Sequence, residues 1–209
     1  MRSVRQHVNP LGAHYLEARA EKIDVPAGFD RVEVELGCAD AKFSFDLAAA
    51  HHDWFVVGLE IREALVVRNN ARAKSRSQTN LRFGYVNLNV DLDRVFDPGT
   101  IDRFHVLFPD PWFKARHRKR RVIEPGMLEV AATQLRPGGE LHFASDVYEV
   151  ALAAMAELEG VEAERLGFRN LLGEWTFCRQ NPCDASSRRE DTTLARGQRV
   201  WRMRYELRP

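Results

Sequence analysis

From residue 31 onward, segments with the apolar pattern of a β-strand alternate with segments that have the pattern of a helix. In RVEVELG (31–37), every second residue is apolar, and WFVVGLE (54–60) is a nearly continuous apolar run. We expect strands at 31–37, 54–60, 81–86, 101–108, 140–145 and 198–207, helices at 39–51, 61–75, 124–135 and 146–159, and a turn at 136–139. This alternation predicts an α/β fold with a doubly wound, mostly parallel sheet. The last alternating segment is expected to pair at the sheet edge.

Length and composition indicate a globular protein with one main domain. The 209 residues are 44% hydrophobic and 29% charged, which excludes a wholly disordered chain. No apolar run approaches the ~20 residues that a bilayer span needs, and the N-terminus has no apolar signal segment, so we expect no membrane association. Three scattered cysteines fit a reducing cytoplasm. Residues 1–29 are polar and are expected to form an N-terminal arm that leads into a domain at 30–209.

The near-neutral net charge of +1 conceals two basic segments. Residues 114–121 (KARHRKRR) carry six lysines and arginines and no acid, and residues 179–209 carry eight arginines against four acids. The rest of the chain is acidic. Two basic segments on an acidic body predict a localised site for a polyanion, although a solvated loop followed by a basic tail fits the charges about equally well.

Ligands of a mostly parallel sheet bind beyond the carboxyl ends of its strands, near the point where the strand order reverses. The first such end is the small-residue loop 35–41 around Gly37, which is either a ligand-binding loop or a plain connection. Glu60 ends the second strand, where it either accepts hydrogen bonds from ribose hydroxyls or is a solvated side chain. Asn87 follows the third strand, to meet a base edge or to make a turn. Asp146 either caps the next helix or faces the same cleft.

The most informative segment is FPDPWFKARHRKRR (108–121). Pro109 and Pro111 restrict the backbone on both sides of Asp110, and Trp112 and the basic run follow at once. A carboxylate can accept two hydrogen bonds from one edge of a base, an aromatic ring can stack on that base, and the cations can hold phosphates. We expect a nucleic-acid site here.

Other chemistry is not indicated by the sequence. The seven histidines have no metal-ligand spacing and no Cys-x-x-Cys occurs, so we expect no metal. A phosphate-binding Walker loop and a Gly-x-Ser-x-Gly nucleophile elbow are absent from the sequence as well. His51 and His52 are expected at a helix end.

With FPDPW followed by KARHRKRR, the chain resembles the bacterial tRNA (guanine-N(7)-)-methyltransferases, which have the class I S-adenosylmethionine-dependent fold. The resemblance covers roughly residues 30–207. It implies a Rossmann-like sheet of seven strands whose last strand is antiparallel. It also implies methyl transfer from S-adenosyl-L-methionine to N7 of a guanine in the variable loop of tRNA, usually numbered 46.

The resemblance assigns roles to individual residues as well. It implies a cofactor site, with Asp110 also catalytic, made of Glu35, Gly37, Glu60, Asn87 and Asp110. It implies substrate contacts by Lys114, Asp146, Ser187 and Glu190, the last two followed at the family spacing by Gly197 and Val200-Trp201. The basic loop that would bind RNA comprises Arg116, His117, Arg118, Lys119, Arg120 and Arg121. Ala39 and Ala41 stand where the family usually has glycine, and Asn87 where it usually has aspartate.

Two other functions stay open at this point. One is a methyltransferase for a protein or a small molecule, which would not need the cations of 114–121. The other is a non-catalytic RNA-binding protein on the same scaffold, to which the alanine-substituted loop points. The sequence favours neither a monomer nor a homodimer.

Overall fold

The computed structural model describes residues 8–17, 19–111 and 121–208. Seven strands form one sheet in the order β3-β2-β1-β4-β5-β7-β6. The strands are β1 (Arg31–Leu36), β2 (Trp54–Glu60), β3 (Leu81–Tyr85), β4 (Ile101–Leu107), β5 (Leu135–Ser145), β6 (Phe168–Asn170) and β7 (Trp201–Leu207). The helices are α1 (Ala13–Glu17), α2 (Lys42–Ala50), α3 (Glu63–Ser75), α4 (Pro125–Gln134), α5 (Tyr148–Leu158), α6 (Val161–Leu166) and α7 (Arg188–Ala195), with a 3-10 turn at Leu92–Arg94.

The predicted fold class is confirmed. Strands β1 to β5 are mutually parallel, and β7 runs antiparallel to both β5 and β6. From β1 the chain proceeds outward through β2 and β3 on one side of the sheet. It then crosses back to form β4 on the other side of β1. The carboxyl ends of β1 and β4 therefore flank the reversal of strand order, where α/β sheets bind their ligands.

Two local predictions were wrong. The segment 198–207 contributes β7, but β7 is not the edge strand, because the three-residue strand β6 pairs along its outer side. Residues 136–139 do not form a separate turn but lie within β5. The pairing of β4 with β5 shifts register there, from Ile101 opposite Leu135 to Arg103 opposite Glu140. Strand β5 has extra residues at this shift, and one of them, Gly138, has a positive φ of +79°.

The two faces of the sheet differ in chemistry. One face carries the main apolar core, to which the even-numbered residues of β1 contribute together with Phe104, Leu141 and Met203. On the other face, the strands β2 and β3 pack apolar side chains against α2, whereas β1, β4, β5 and β7 carry charges. Strand alternation explains this division, because successive side chains of one strand point to opposite faces.

The charged half of that face is buried and paired. The Arg103 guanidinium lies 3.8 Å from Glu33 and 3.3 Å from Glu140, and Arg204 lies 2.9 Å from Glu140. Burial opposes the ionisation of Glu33, but the hydrogen bond to His105 and the nearby arginines hold the pKa of Glu33 below its ordinary value. Breaking one such buried pair costs about 3–5 kcal/mol, so a single substitution in one of these pairs should strongly destabilise the protein.

The part of the arm that the structure describes packs on the domain. The side chain of Ile23 is buried in the main core, and its backbone N–H donates to the carbonyl of Val95. Among the described residues, none of the helices is long and apolar enough to cross a membrane.

Candidate active site

A cleft of about 530 Å³ lies at the carboxyl ends of the strands, where the order of the sheet reverses. This volume is typical of small-molecule and cofactor sites. It brings together most of the described residues that the sequence singled out, namely Glu35, Gly37, Glu60, Asn87, Asp110, Asp146 and Ser187. Their convergence follows from the topology, because all these residues follow or end strands at the same edge of the sheet or lie on the connection to β7.

The loop between β1 and α2 forms one wall of the cleft and has an unusual backbone. Gly37, Ala39 and Ala41 all have positive φ, at +82°, +48° and +60°. A left-handed conformation costs an alanine roughly 1–2 kcal/mol relative to a glycine, so glycine is the unstrained residue at positions 39 and 41. A side chain at Gly37 would meet no atom within 4 Å, because this backbone borders open space.

Glu35 lies at the floor of the cleft and is buried. Its carboxyl accepts a hydrogen bond from the Ser44 hydroxyl on α2. Burial raises the pKa of Glu35 to about 8, and the charges of Asp40 and Glu60 add to the effect of burial. Glu35 is therefore mainly protonated at neutral pH. A neutral carboxyl offers the cleft a hydrogen-bond donor as well as an acceptor.

Glu60 is buried at the end of β2, and the protein itself occupies its carboxylate. One oxygen accepts from the backbone N–H of Ala39 at 2.9 Å and from the Arg62 guanidinium at 2.8 Å. The other accepts from the Arg62 backbone N–H at 3.0 Å and from Arg62 Nε at 2.8 Å. Arg62 also lines the cleft. Sequence reasoning missed it, although a cation two residues after a strand-end acid was a visible signal.

Asn87 lies at the end of β3 and binds the N-terminal arm. Its Nδ2 donates to the carbonyls of Pro10 at 2.9 Å and Tyr15 at 3.1 Å, and its Oδ1 accepts from the N–H of Asn89 at 3.2 Å. An aspartate could not donate these first two bonds. Asn87 therefore holds the arm over the cleft, where Pro10 forms part of the lining.

Asp110 lies at the opening of the cleft, immediately after β4. The backbone N–H of Phe108 donates to Ala144 of β5 at 2.7 Å, and Phe108 has a positive φ of +51°. This kink turns the chain into the Pro109-Asp110-Pro111 segment at the cleft wall. Trp112 and the predicted RNA and substrate contacts Lys114, Arg116, His117, Arg118, Lys119 and Arg120 lie outside the described residues. Arg121 is described and half-buried, and it borders a smaller pocket that also includes Pro109 and Asp110.

Asp146 connects β5 with α7 rather than capping α5. Its Oδ2 accepts from Arg189 Nε at 2.7 Å and from the Thr193 hydroxyl at 3.3 Å. The N-cap of α5 is Val147, and it makes no side-chain cap. The capping alternative is therefore wrong, and the alternative in which Asp146 faces the cleft is confirmed.

The Ser187-x-x-Glu190 pattern begins α7. Ser187 caps the helix, because its Oγ accepts from the N–H of Glu190 at 3.1 Å. Glu190 lies outside the described lining of the cleft. Its carboxylate is buried and accepts from Arg202 Nε of β7 at 3.0 Å. Glu190 thus positions α7 against the sheet, while Arg188 and Arg189, which sequence reasoning did not single out, line the cleft from the first turn of α7.

Comparison with known proteins agrees with this geometry. A family model described as "Putative methyltransferase" matches residues 30–203. A tRNA (guanine-N(7)-)-methyltransferase of Synechococcus elongatus is 39% identical, over 90% of this chain and 88% of the relative. A relative of the same name from Nostoc sp. is 35% identical, over 97% of this chain and 93% of the relative.

Solved structures share the fold at lower identity. The 16S rRNA (adenine(1408)-N(1))-methyltransferase from Catenulisporales acidiphilia superimposes with a TM-score of 0.60 at 20% identity, over 90% of this chain and 96% of that one. The 16S rRNA methyltransferase KamB gives a TM-score of 0.61 at 19% identity, over 88% and 90%. These neighbours show the fold, and the sequence relatives show the family. The chain belongs to the tRNA (guanine-N(7)-)-methyltransferase family.

Proposed function

We propose that this protein transfers a methyl group from S-adenosyl-L-methionine to N7 of a guanine in tRNA, and that the guanine is that of the variable loop at position 46. The observation that carries the proposal is the cleft at the reversal of strand order, which collects Glu35, Glu60 and Asp110, the last of which shortly precedes the basic segment in sequence. The names of the relatives support the reaction and the tRNA substrate.

The cleft fits the cofactor in size and in chemistry. Its 530 Å³ is adequate for a nucleoside with an amino-acid side arm, and the bare backbone at Gly37 leaves room for close approach. Glu60 would accept the ribose hydroxyls, and the neutral Glu35 would meet polar groups at the floor. When bound, the cofactor supplies an electrophilic methyl group on a sulfonium.

The chain's own contribution to the chemistry is positioning and charge. N7 of guanine carries an exposed lone pair, so it attacks the methyl carbon without first losing a proton. The methylated base would carry a positive charge, because the N7 lone pair would form the new bond to the methyl group that the cofactor supplies. Asp110 would hold the Watson–Crick edge of the guanine and favour the developing positive charge. The target base has to leave its stack to reach the cleft.

The tRNA would be held by cations around the cleft mouth. Arg188 and Arg189 are exposed at the first turn of α7, and the segment 114–121 adds six more cations. Lys114 and Asp146 would contact the substrate, as the family resemblance implies. A tRNA substrate would be met in the cytoplasm, so we propose that location for the protein. The arm at 1–29 would act as an addition to the domain at 30–209.

Methyl transfer to tRNA by the Asp110→Asn variant tests this proposal. The amide keeps the size of the side chain but loses the charge and one acceptor. We expect single-turnover transfer at saturating tRNA and cofactor to fall by at least ~100-fold, which corresponds to about 2.7 kcal/mol of transition-state stabilisation. Affinity for tRNA should change much less, because the cations are untouched. Nucleoside mass spectrometry identifies 7-methylguanosine as the product.

Asp97→Asn serves as the matched control, because Asp97 is exposed on the surface and pairs with Lys22. The control should transfer methyl groups at the wild-type rate. A wild-type rate for Asp110→Asn would show that Asp110 only shapes the turn. Binding of tRNA without any 7-methylguanosine formed by the wild-type protein would favour the non-catalytic RNA-binding alternative.

A further inference from the structure

Three potential metal ligands meet beneath the sheet, on its charged face. His105 of β4 and His142 of β5 are paired in register, so their side chains lie side by side. Cys183 reaches them from the connection between β6 and α7. Both histidines are buried, the cysteine is partly exposed, and the three ligand atoms all lie within 4.8 Å of one another. None of the three belongs to the described lining of the cleft.

Two of the three ligand-to-ligand distances match those around a tetrahedral metal ion, and the third is within 4.8 Å. His105 Nδ1 lies 3.2 Å from His142 Nδ1, and Cys183 Sγ lies 3.6 Å from His142 Nδ1. Zinc bonds of about 2.0–2.1 Å to nitrogen and about 2.3 Å to sulfur, at tetrahedral angles, separate two nitrogens by roughly 3.3 Å and nitrogen from sulfur by roughly 3.5 Å. Without an ion, a single hydrogen bond joins the two rings, because only one of the two facing Nδ1 atoms carries the proton in that bond.

The surroundings orient one ligand as metal sites do. The second nitrogen of His105, Nε2, lies 2.5 Å from a carboxylate oxygen of Glu33. A carboxylate behind a ligating histidine fixes its tautomer, which leaves the Nδ1 lone pair of His105 directed at the cluster. Phe43 packs on the His105 ring at 4.7 Å and keeps it in place.

Side chains of both charge signs surround the three potential metal ligands. Burial raises the pKa of the Cys183 thiol to about 12, and the positive charge of Arg103 opposes this rise. The same positive charge disfavours a second cation. Glu33 and Glu140 both pair with Arg103 and offset it. A thiolate at Cys183 would contribute a further negative charge directly to the ion, and thiolate with imidazole is a ligand set that selects zinc over calcium or magnesium.

We propose that His105, His142 and Cys183 bind one Zn²⁺, with a solvent ligand in the fourth position on the partly exposed side of Cys183. The ion would join the 178–187 connection to β4 and β5. Those two strands carry Asp110 and Asp146 at their carboxyl ends, and the connection ends at Ser187 in the cleft. The metal would thus support the cleft from below, and it would stay outside the methyl transfer because none of its ligands lines the described part of the cleft.

Zinc and cobalt titrations of the full-length protein, after dialysis against a chelator, test the site directly. We expect one Zn²⁺ per chain in competition with a chromogenic chelator, and a higher melting temperature with zinc than without it. Co²⁺ should give the absorption of a tetrahedral ion together with a charge-transfer band from a thiolate. The variant Cys183→Ser should bind zinc at least ~100-fold more weakly and should lose that band.

Cys178→Ser is the matched control, because Cys178 lies on the same connection but outside the cluster. It should bind zinc like the wild type. His142→Gln provides a second variant, and its folding is checked by circular dichroism. Failure of the wild type to bind zinc, or equal affinity in Cys183→Ser, would overturn the proposal. These readouts do not depend on methyl transfer, so they stand whether or not the proposed function holds.

Discussion

The charge of a strand-end carboxyl in this cleft depends on its immediate neighbours. Glu35 is buried with a neutral serine as its hydrogen-bond partner, and its pKa rises to about 8. Glu60, at the end of the neighbouring strand, is also buried but accepts hydrogen bonds from a guanidinium and two backbone N–H groups. Two glutamates of similar burial therefore offer a ligand different chemistry.

The raised pKa of Glu35 predicts a pH-dependent stability. In the unfolded chain Glu35 ionises near pH 4.5, whereas in the folded chain it stays protonated until about pH 8. Its contribution to the free energy of unfolding is therefore complete below about pH 4.5 and is lost as the pH rises to about 8, by up to about 1.4 kcal/mol per pH unit. Glu35→Gln has no proton to lose, so its stability should fall less over this range.

Urea denaturation at pH 5 and pH 8.5 measures the difference. Glu162→Gln, on the exposed face of α6, is the control and should keep the pH dependence of the wild type. If Glu35→Gln also kept it, Glu35 would have to be ionised in the folded protein.

The positions of the site residues could be predicted from the sequence, whereas their partners could not. Glu60, Asn87 and Asp110 each follow an apolar strand segment, and parallel strands bring such positions to one edge. The roles of Arg62 and Arg202 depend on which side chains meet in space. Glu190 illustrates the limit, because its spacing fits a substrate contact but the fold directs its carboxylate to Arg202.

At the scale of elements, the outer part of the N-terminal arm, residues 8–17, is bonded to a side chain at the end of β3. Two of the arm's carbonyl groups accept hydrogen bonds from Asn87 Nδ2, on either side of the start of α1. Helix α1 is only five residues long and buries none of its side chains. Its position therefore relies on contacts outside the helix itself.

We expect Asn87→Asp to release the arm. The carboxylate cannot donate, and it would face two carbonyl oxygens, so each lost bond should cost about 1–3 kcal/mol. Hydrogen exchange at residues 8–17 should accelerate by ~10-fold or more, and limited proteolysis should cleave there first.

Asn70→Asp is the control for the arm experiment. It breaks a side-chain hydrogen bond to the Phe83 carbonyl of β3, and Asn70 is not one of the residues that bond the described part of the arm. It should destabilise the domain without selective exchange at 8–17. Equal protection of the arm in Asn87→Asp and in the wild type would mean that other contacts hold it.

The elements that sequence patterns missed are short or polar. Strand β6 has three residues and α6 has six. Segments this short are too short to show the apolar periodicity of a strand or of a helix. Helix α7 is rich in charge, and it is held by Ser187, Asp146 and the buried Glu190–Arg202 pair rather than by an apolar face. The position of β7 inside the sheet could not be predicted without β6.

On the scale of the whole molecule, exposed arginines and their acidic partners lie together at the cleft. Arg188 and Arg189 of α7 are exposed and pair with Asp40 and Asp146, and Arg121 borders a smaller pocket that also includes Asp110. Other arginines of the C-terminal region have a different role, because Arg202 and Arg204 are paired with glutamates beneath the sheet. The arginines of the basic C-terminal segment are thus divided between the surface of the protein and its interior.

The salt dependence of tRNA binding should therefore depend on the basic loop. Cations that contact phosphates release counterions, so affinity falls linearly with salt on logarithmic axes. Replacing Arg118, Lys119, Arg120 and Arg121 with alanine should flatten that slope while calorimetry shows unchanged cofactor affinity. Replacing Arg165 and Arg169, exposed cations on α6 and β6, provides the control. A slope that stayed the same in the quadruple variant would remove this loop from the interface.

The hydrogen bonds between Arg62 and Glu60 have a kinetic consequence. In the cofactor site that we propose, a ribose reaching Glu60 would have to exchange with a guanidinium that already donates twice to the carboxylate. The net gain in binding free energy is the difference between the hydrogen bonds formed with the ribose and those lost with Arg62, so it is smaller than either contribution alone. The rate of cofactor association should then follow how often the arginine swings away, rather than how often the two molecules collide.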